Sequence, residues 1–318
     1  MHRLLPALLA LALLAFAAAC GDSGGTAGTP AATERPATPT RAPTPSPTPS
    51  PAPTPTPAPT LDLSLSQPRQ GGFLVIRLLN PPPGLAALTA YFNGAGYPMV
   101  NEDGRWYRVV GLDPQFAVGA YPVEVSSDTA AIVGGTLSVS DGGFEFVSIE
   151  LPPSSIALAE DQEAAARERA VLAQAYATFT PEQLWSGPWI WPAQGEISNA
   201  FGLQRSINGG PYSPHTGTDI ANEKGTPVVA AASGRVVVAE MLHYYGNVVV
   251  IDHGAGVFSS YNHLDSIAVT AGQAITIGDL VGYMGETGFV NGPHLHWEAV
   301  IAGVRTDPTL WTQADIDP

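Results

Sequence analysis

The chain has 318 residues, 45% hydrophobic and 13% charged, with seven histidines, one cysteine and a formal net charge of −15. That length allows about two domains, and the acidic balance argues against a nucleic-acid binder, which needs clustered Lys and Arg. One cysteine excludes an intramolecular disulfide and a thiolate zinc site, so a metal site here has to use His and carboxylate.

The first twenty residues, MHRLLPALLALALLAFAAAC, place Arg3 before an apolar run from Leu4 to Ala19 and end on the sole cysteine, Cys20. The run is shorter than the ~20 residues of a comfortable membrane span. It reads as a secretory signal over 1–19 with a small-residue cleavage site. Ending in Ala-Ala-Cys, it resembles a bacterial lipoprotein lipobox, with Ala17 where Leu is commonest. The resemblance implies cleavage before Cys20 and a lipid on Cys20 that makes a membrane one partner. Residues 20–60 follow as a stalk, and from 29 to 60 Pro alternates with Thr, Ser and Ala. Such a stretch has few backbone donors and nothing apolar to bury. Its expected state is polyproline II at ~3.1 Å per residue, a disordered but semi-rigid spacer on the order of 100 Å long.

Residues 61–150 carry short β-branched and aromatic runs such as GGFLVIRLL, RWYRVVGL and AYPVEVSS, broken by Gly, Pro, Asn and Asp. The spacing suits a small β-sandwich of Ig-like form, and Asp103-Gly104 suits a hairpin turn. The block has no histidine, and Glu102, Asp103, Asp113, Glu124 and Asp128 fit turns and surface. Its expected role is to bind, position or space. Residues 151–185 form a helical connector: 155–179 are rich in Ala, Glu, Arg and Leu, which favour helix. Acids come early and Arg167 and Arg169 late, as the helix dipole prefers, and Pro181 stops the helix.

Residues 186–318 hold six of the seven histidines, all between 215 and 296. Gly-punctuated strands predict a mostly antiparallel β-sheet assembly. In the segment GPHLHWE, His294 and His296 share one strand face, their Cα atoms ~7 Å apart. That spacing suits one metal ligand and one neighbour standing over the metal's open position. In HTGTDI, His215 and Asp219 would lie ~13 Å apart in a straight strand; a turn at Gly217 would bring them together. Zinc accepts such a set of two nitrogens and one oxygen when His296 supplies the third ligand, leaving the fourth position to water. His263, in YNHLDS, follows a strand and begins a loop.

The segments HTGTDI, GTPVVAAASGRV, YGNVVVIDHG, YNHL and GPHLHWE resemble the lysostaphin/LytM-type zinc metallopeptidases, and PWIWPAQGEISNAFGLQR is similar to that family's entry segment. The likeness covers about 188–300. It implies one Zn2+ held by His215, Asp219 and His296, with His263 and His294 as catalytic histidines. It also implies cleavage of peptide bonds in peptidoglycan, in an extracytoplasmic, envelope-anchored lipoprotein. The division of base and acid roles between His263 and His294 stays open. His243 and His253 are read as structural, and Tyr212 and Tyr261 as core or rim. Relatives that have lost ligands act as binding activators of other wall hydrolases; all five site residues are present here, which favours a metalloendopeptidase. A wall-binding lipoprotein working through its sandwich, and an unspecified regulatory protein partner, are the remaining expectations.

Overall fold

The computed structural model describes residues 56–150, 156, 161–313, 315, 316 and 318. The signal segment, Cys20 and nearly all of the Pro/Thr stalk lie outside the described residues. The protein is mainly β.

Eight strands build two four-stranded antiparallel sheets: β1 (Thr60–Asp62), β2 (Phe73–Leu79), β3 (Thr89–Phe92), β4 (Ala95–Pro98), β5 (Val100–Glu102), β6 (Arg105–Gly111), β7 (Gly119–Ser126) and β8 (Ala131–Val139). Their orders are β1-β2-β6-β5 and β4-β3-β7-β8. Asp103 and Gly104 turn the β5–β6 hairpin with φ of 51° and 86°, the two positive values that a tight two-residue turn demands. Leu74, Ile76, Leu78, Trp106 and Val110 of one sheet meet Ala90, Phe92, Val123 and Val125 of the other.

β2 and β6 read FLVIRLL and RWYRVVG, without the alternation of a half-exposed strand. The reason is burial on both faces. Phe73, Val75, Tyr107 and Val109 point out of the sandwich into a second core containing Trp185, Trp189, Trp297 and Trp311. Phe73 stacks on Trp311 at 4.8 Å between ring centroids. The sandwich and the C-terminal block thus pack on opposite faces of one sheet, and the described residues from 56 onward form one compact unit.

β9 (Phe146–Ile149) ends the first block but pairs in parallel with a strand of the last block, β11 (Gln204–Ile207), which pairs on its other edge with β12 (Tyr212–Pro214). The other strands of the C-terminal block are β10 (Glu196–Asn199), β13 (Thr218–Ala221), β14 (Pro227–Val229), β15 (Gly234–Leu242), β16 (Gly246–Asp252), β17 (Val257–Ile267), β18 (Ala274–Ile275), β19 (Leu280–Met284), β20 (His294–Ile301) and β21 (Val304–Thr306). They form a ten-stranded sheet whose main path is β10-β13-β20-β17-β16-β15-β18. Its pairings are antiparallel, as the sequence pattern predicts. A single helical turn at Leu310–Gln313 follows.

Helix α1 spans Gln162–Tyr176, inside the 155–179 stretch that composition favours. Its start is fixed by Asp161, whose carboxylate accepts from the Ala164 amide at 2.9 Å, an N-cap bond. Residues 151–155 and 157–160 lie outside the described residues. Leu172, Ala175 and Tyr176 pack on Val238, Leu242, Val248, Val250, Phe258 and Val300. Between them and the N-terminus sits Glu168, a carboxylate only 5% exposed. Its Oε2 accepts from the amides of Tyr244 at 2.6 Å and Tyr245 at 3.3 Å. These residues form the β15–β16 turn, and the Tyr245 carbonyl accepts the His263 amide at 2.9 Å. The connector therefore grips a loop that reaches the histidine cluster.

Glu168→Ala leaves two part-buried amides without an acceptor and is expected to cost about 1–3 kcal/mol. Glu168→Gln, which keeps an acceptor oxygen, should cost less. Denaturant unfolding of both variants checks this; equal stability of Glu168→Ala and the parent would show that the carboxylate does not hold the turn.

Candidate metal centre and flanking histidines

β13 and β20 are neighbours, and Asp219 lies directly across from His296. Cross-strand partners share a face, so carboxylate and imidazole meet. His215 precedes β13, tied by its amide to the Leu203 carbonyl at 2.9 Å and by its carbonyl to the Gly202 amide at 2.8 Å. The chain then turns toward β20 at Gly217. A Cβ on Gly217 would stand 2.6 Å from the Trp297 carbonyl oxygen and 2.8 Å from the His296 ring. Glycine is needed for this close approach.

His215 Nε2 lies 3.0 Å from His296 Nδ1 and 3.1 Å from Asp219 Oδ1, and His296 Nδ1 lies 2.7 Å from Asp219 Oδ1. Among the described residues, this is the one group of three such side chains whose ligand atoms all lie within 4.8 Å of one another. All three residues are buried.

The outer hydrogen bonds decide what this triangle is for. His215 Nδ1 faces the Ala200 carbonyl at 2.9 Å, and His296 Nε2 faces Glu298 Oε1 at 3.2 Å. Both partners only accept, so each outer nitrogen carries the proton and each neutral ring turns a lone pair inward. With Asp219 Oδ1, three lone pairs converge. Such a cluster needs a cation or an extra proton. In the metal-free chain a proton serves: burial works to lower the pKa of His296, but the bonds to Asp219 and Glu298 outweigh it and push it up to about 9. His215 is lowered, mainly by burial. Burial works to raise Asp219, but its bonds to both histidines hold it well below the usual carboxylate range. Two imidazole nitrogens and a carboxylate oxygen form a donor set that zinc accepts.

Glu298 is fully buried. Its Oε1 accepts from Thr216 Oγ1 at 2.9 Å, Arg305 Nε at 3.0 Å and the Tyr245 hydroxyl at 3.4 Å, besides His296. Burial would raise its pKa, but Arg305 and His296 bring it down to about 2. It stays ionised and fixes the His296 tautomer. Glu298, Thr216, Tyr245 and Arg305 are not among the candidates the sequence pattern yields. For Glu298 the signal was present: it continues the His294, His296 alternation onto the same strand face.

His294 opens β20, its Nδ1 2.9 Å from the Gly292 carbonyl and its Nε2 3.8 Å from Asp219 Oδ1. His263 sits inside β17, where the sequence suggests the beginning of a loop. The pairing of β16 with β17 slips one residue around 262–263, and His263 takes a φ of 64°. A bulge of this kind re-aims a side chain. The His263 ring centroid comes to 5.0 Å from that of His294 and 5.9 Å from that of His296. Its Nδ1 lies 2.9 Å from the Thr287 carbonyl, leaving Nε2 as the unprotonated atom. Burial, together with the charges of His296 and His294, pushes its pKa down to about 3. The structure thus brings Asp219, His296, His263 and His294 together along one cleft, with His215 fully buried behind it against Asp219 and His296. Asn199, Arg205, Tyr244 and Phe289 also line it.

The other candidates fall elsewhere. His253 is fully buried, its Nδ1 2.8 Å from the Ser233 carbonyl and its Nε2 2.8 Å from Ser259 Oγ. Tyr261 is core, its hydroxyl bonded to the Ala231 amide, and Tyr212 lies exposed against Phe146. His243 is not among the residues that line the cleft.

Residues 213–308 match the family model "Peptidase family M23". The chain carries an M23 peptidase domain. It is 46% identical over 90 residues to the peptidoglycan DD-endopeptidase ShyA of Vibrio cholerae, covering 28% of this chain and 21% of ShyA. It is 35% identical over 121 residues to the murein hydrolase activator NlpD of Escherichia coli, covering 38% and 30%. A crystal structure assigned to peptidase M23 from Pseudomonas aeruginosa superposes with a TM-score of 0.61 at 29% identity, covering 79% of this chain and 96% of that one. The M23 domain of this chain thus matches less than a third of the length of ShyA and NlpD.

Two predictions follow from the geometry. Gly217→Ala drives a Cβ into the Trp297 carbonyl oxygen and the His296 ring, and misplaced ligands should weaken affinity for a divalent cation at least about tenfold; competition against a chelating dye measures it, and unchanged affinity would mean the 215–219 segment has slack. His253 is held neutral by burial, its pKa lowered to about 4. Protons therefore favour the unfolded chain, so its contribution is intact above about pH 6.5 and is lost as pH falls toward 4, on the order of 3 kcal/mol. His253→Gln should flatten that part of the stability–pH curve, and an unchanged slope would remove His253 as its source.

Proposed function

We propose that the protein is a zinc-dependent endopeptidase of the cell envelope, anchored through a lipid on Cys20 and hydrolysing peptide bonds in peptidoglycan. The observation that carries this reading is the convergence of three inward lone pairs from His215, Asp219 and His296 beside two histidines, His263 and His294, each tied by Nδ1 to a backbone carbonyl. ShyA, the DD-endopeptidase, supports the substrate class.

A zinc ion on the three ligands would supply Lewis acidity toward water and the scissile carbonyl. The protein's own groups do the rest. Glu298 and the Ala200 carbonyl keep the ligand rings in their inward-facing tautomers. His263 and His294 leave Nε2 free to take a proton from the attacking water or to hand one to the leaving amine. Tyr244 and Phe289, stacked at 4.4 Å, wall the cleft and hold an extended peptide against it. The Pro/Thr stalk gives the domain reach from a membrane into the wall mesh.

A second reading, a non-hydrolytic activator of another wall hydrolase, is supported by the likeness to NlpD. The gathering of all five polar residues, four lining the cleft and His215 directly behind them, favours hydrolysis.

The test uses purified protein on isolated peptidoglycan with zinc, with chelator, and as Asp219→Ala and His263→Ala, with the released fragments identified by mass. Expected are new peptide ends that need zinc and Asp219. Asp219→Ala should lose both zinc and activity. His263→Ala should keep zinc and lose about 10²–10⁴-fold in rate, the usual worth of a positioned acid or base. Zinc binding without new ends on several wall types would favour the activator.

A further inference from the structure

The cleft holds a cation that the proposed hydrolysis does not use. Arg205 lies on β11, and its guanidinium lines the cleft with Asp219, His294 and His296. Its ion pair among the described residues is a long one, Nη1 to Asp219 Oδ2 at 3.9 Å. That oxygen already accepts from Asn199 Nδ2 at 3.1 Å, and the other oxygen of Asp219 belongs to the ligand triangle. The Arg205 Nε is buried with no hydrogen-bond partner. A side chain only 26% exposed whose guanidinium is so weakly paired carries a desolvation cost unless something else satisfies it. Its planar fork matches a carboxylate, which can accept two parallel N–H bonds.

We propose that Arg205 is a specificity-determining residue that binds a free carboxylate on the residue at the leaving side of the scissile bond. This rests on the hydrolase reading above and names its substrate class. The covalent geometry suits it. The carboxylate carbon of a residue lies about 3–4 Å from the acyl carbon attached to its own nitrogen. Arg205 stands on the side of Asp219 away from the other ligands, with Asp219 Oδ1 among the ligands and Oδ2 3.9 Å from Arg205 Nη1. A scissile carbonyl brought to the triangle thus places the neighbouring carboxylate within reach of Arg205. The preferred substrates are peptides whose leaving residue carries an acid on the carbon bearing the scissile nitrogen, as a terminal residue does, or a diaminopimelate cross-linked through that amine. Glycine bridges continue as an amide at this point and offer the fork no charge.

The experiment compares two cross-linked muropeptide dimers, D-Ala joined to diaminopimelate, with the carboxylate beside the scissile nitrogen either free or amidated. The full chain is assayed with zinc as wild type, Arg205→Lys and Arg205→Met, and zinc content is measured for each. Wild type should favour the free acid by at least about tenfold in kcat/KM, the scale of a desolvated charge-assisted pair. Arg205→Met should bring the acid-to-amide ratio to near one, and Arg205→Lys should keep part of it. If Arg205→Met loses zinc or lowers both substrates equally, Arg205 only supports Asp219 and the proposal fails. It fails too if wild type cleaves both dimers alike. Cleavage of neither dimer would count against the hydrolase reading. In that event calorimetric binding of the two dimers to the chelator-treated wild-type chain decides the proposal alone: preference for the acid that Arg205→Met abolishes supports it, and equal binding overturns it.

Discussion

The centre of this protein is a small region in which three lone pairs are made to face one another in a buried place. Left to themselves, two imidazoles and a carboxylate would rotate to find protons or water. Here the rotation is blocked from outside, by the Ala200 carbonyl on His215 and by Glu298 on His296. Each ring spends its proton outward, so the inward side has only acceptors. The arrangement is unfavourable for a neutral site and favourable for a cation, and much of the C-terminal sheet serves to keep it so.

The support runs through several layers. Glu298 is ionised at zero exposure because Arg305, Thr216, Tyr245 and His296 all donate to one of its oxygens. Arg305 also donates to the Tyr245 hydroxyl at 2.9 Å. Tyr245 is placed by a turn whose amides bond to Glu168 on the connector helix. The same turn receives the His263 amide, and His263 adopts a left-handed backbone to bring its ring beside His294. A residue with a side chain in that conformation is held by its surroundings, and here the surroundings are the Tyr245 and Thr287 carbonyls. Helix, turn, outer carboxylate and ligand ring form one continuous set of polar contacts.

The sandwich is tied into the same body. β2 and β6 give one face to its core and the other to the tryptophan cluster of the C-terminal block, while β9 lends its edge to β11. Because β11 carries Arg205 and its neighbour β9 carries Ile149, both of which line the cleft, the first block helps to shape the wall of the site. No described helix is long and apolar enough to cross a membrane.

Much of the site was legible in the residues. The i, i+2 spacing of His294 and His296 gave a shared face, and Gly217 between His215 and Asp219 marked the point where the chain had to bend. Those are local rules of strand period and backbone sterics, and they hold whatever the rest of the chain does. The unalternating runs in β2 and β6 also stood in the sequence, but which second core they would meet depends on Trp185, Trp189 and Trp311, more than a hundred residues away from Phe73 and only assembled by folding. Likewise Arg305 finds Glu298 across the β20–β21 hairpin, Glu168 finds the β15–β16 turn, and His263 reaches the cleft only because one residue slips in the pairing of β16 with β17. Sequence by itself determined which side chains had the chemistry for a metal centre. The tertiary structure decided which way each ring carries its proton, which cation shares the cleft, and which carboxylate holds the ligand, because those depend on non-local partners that no period or spacing can encode.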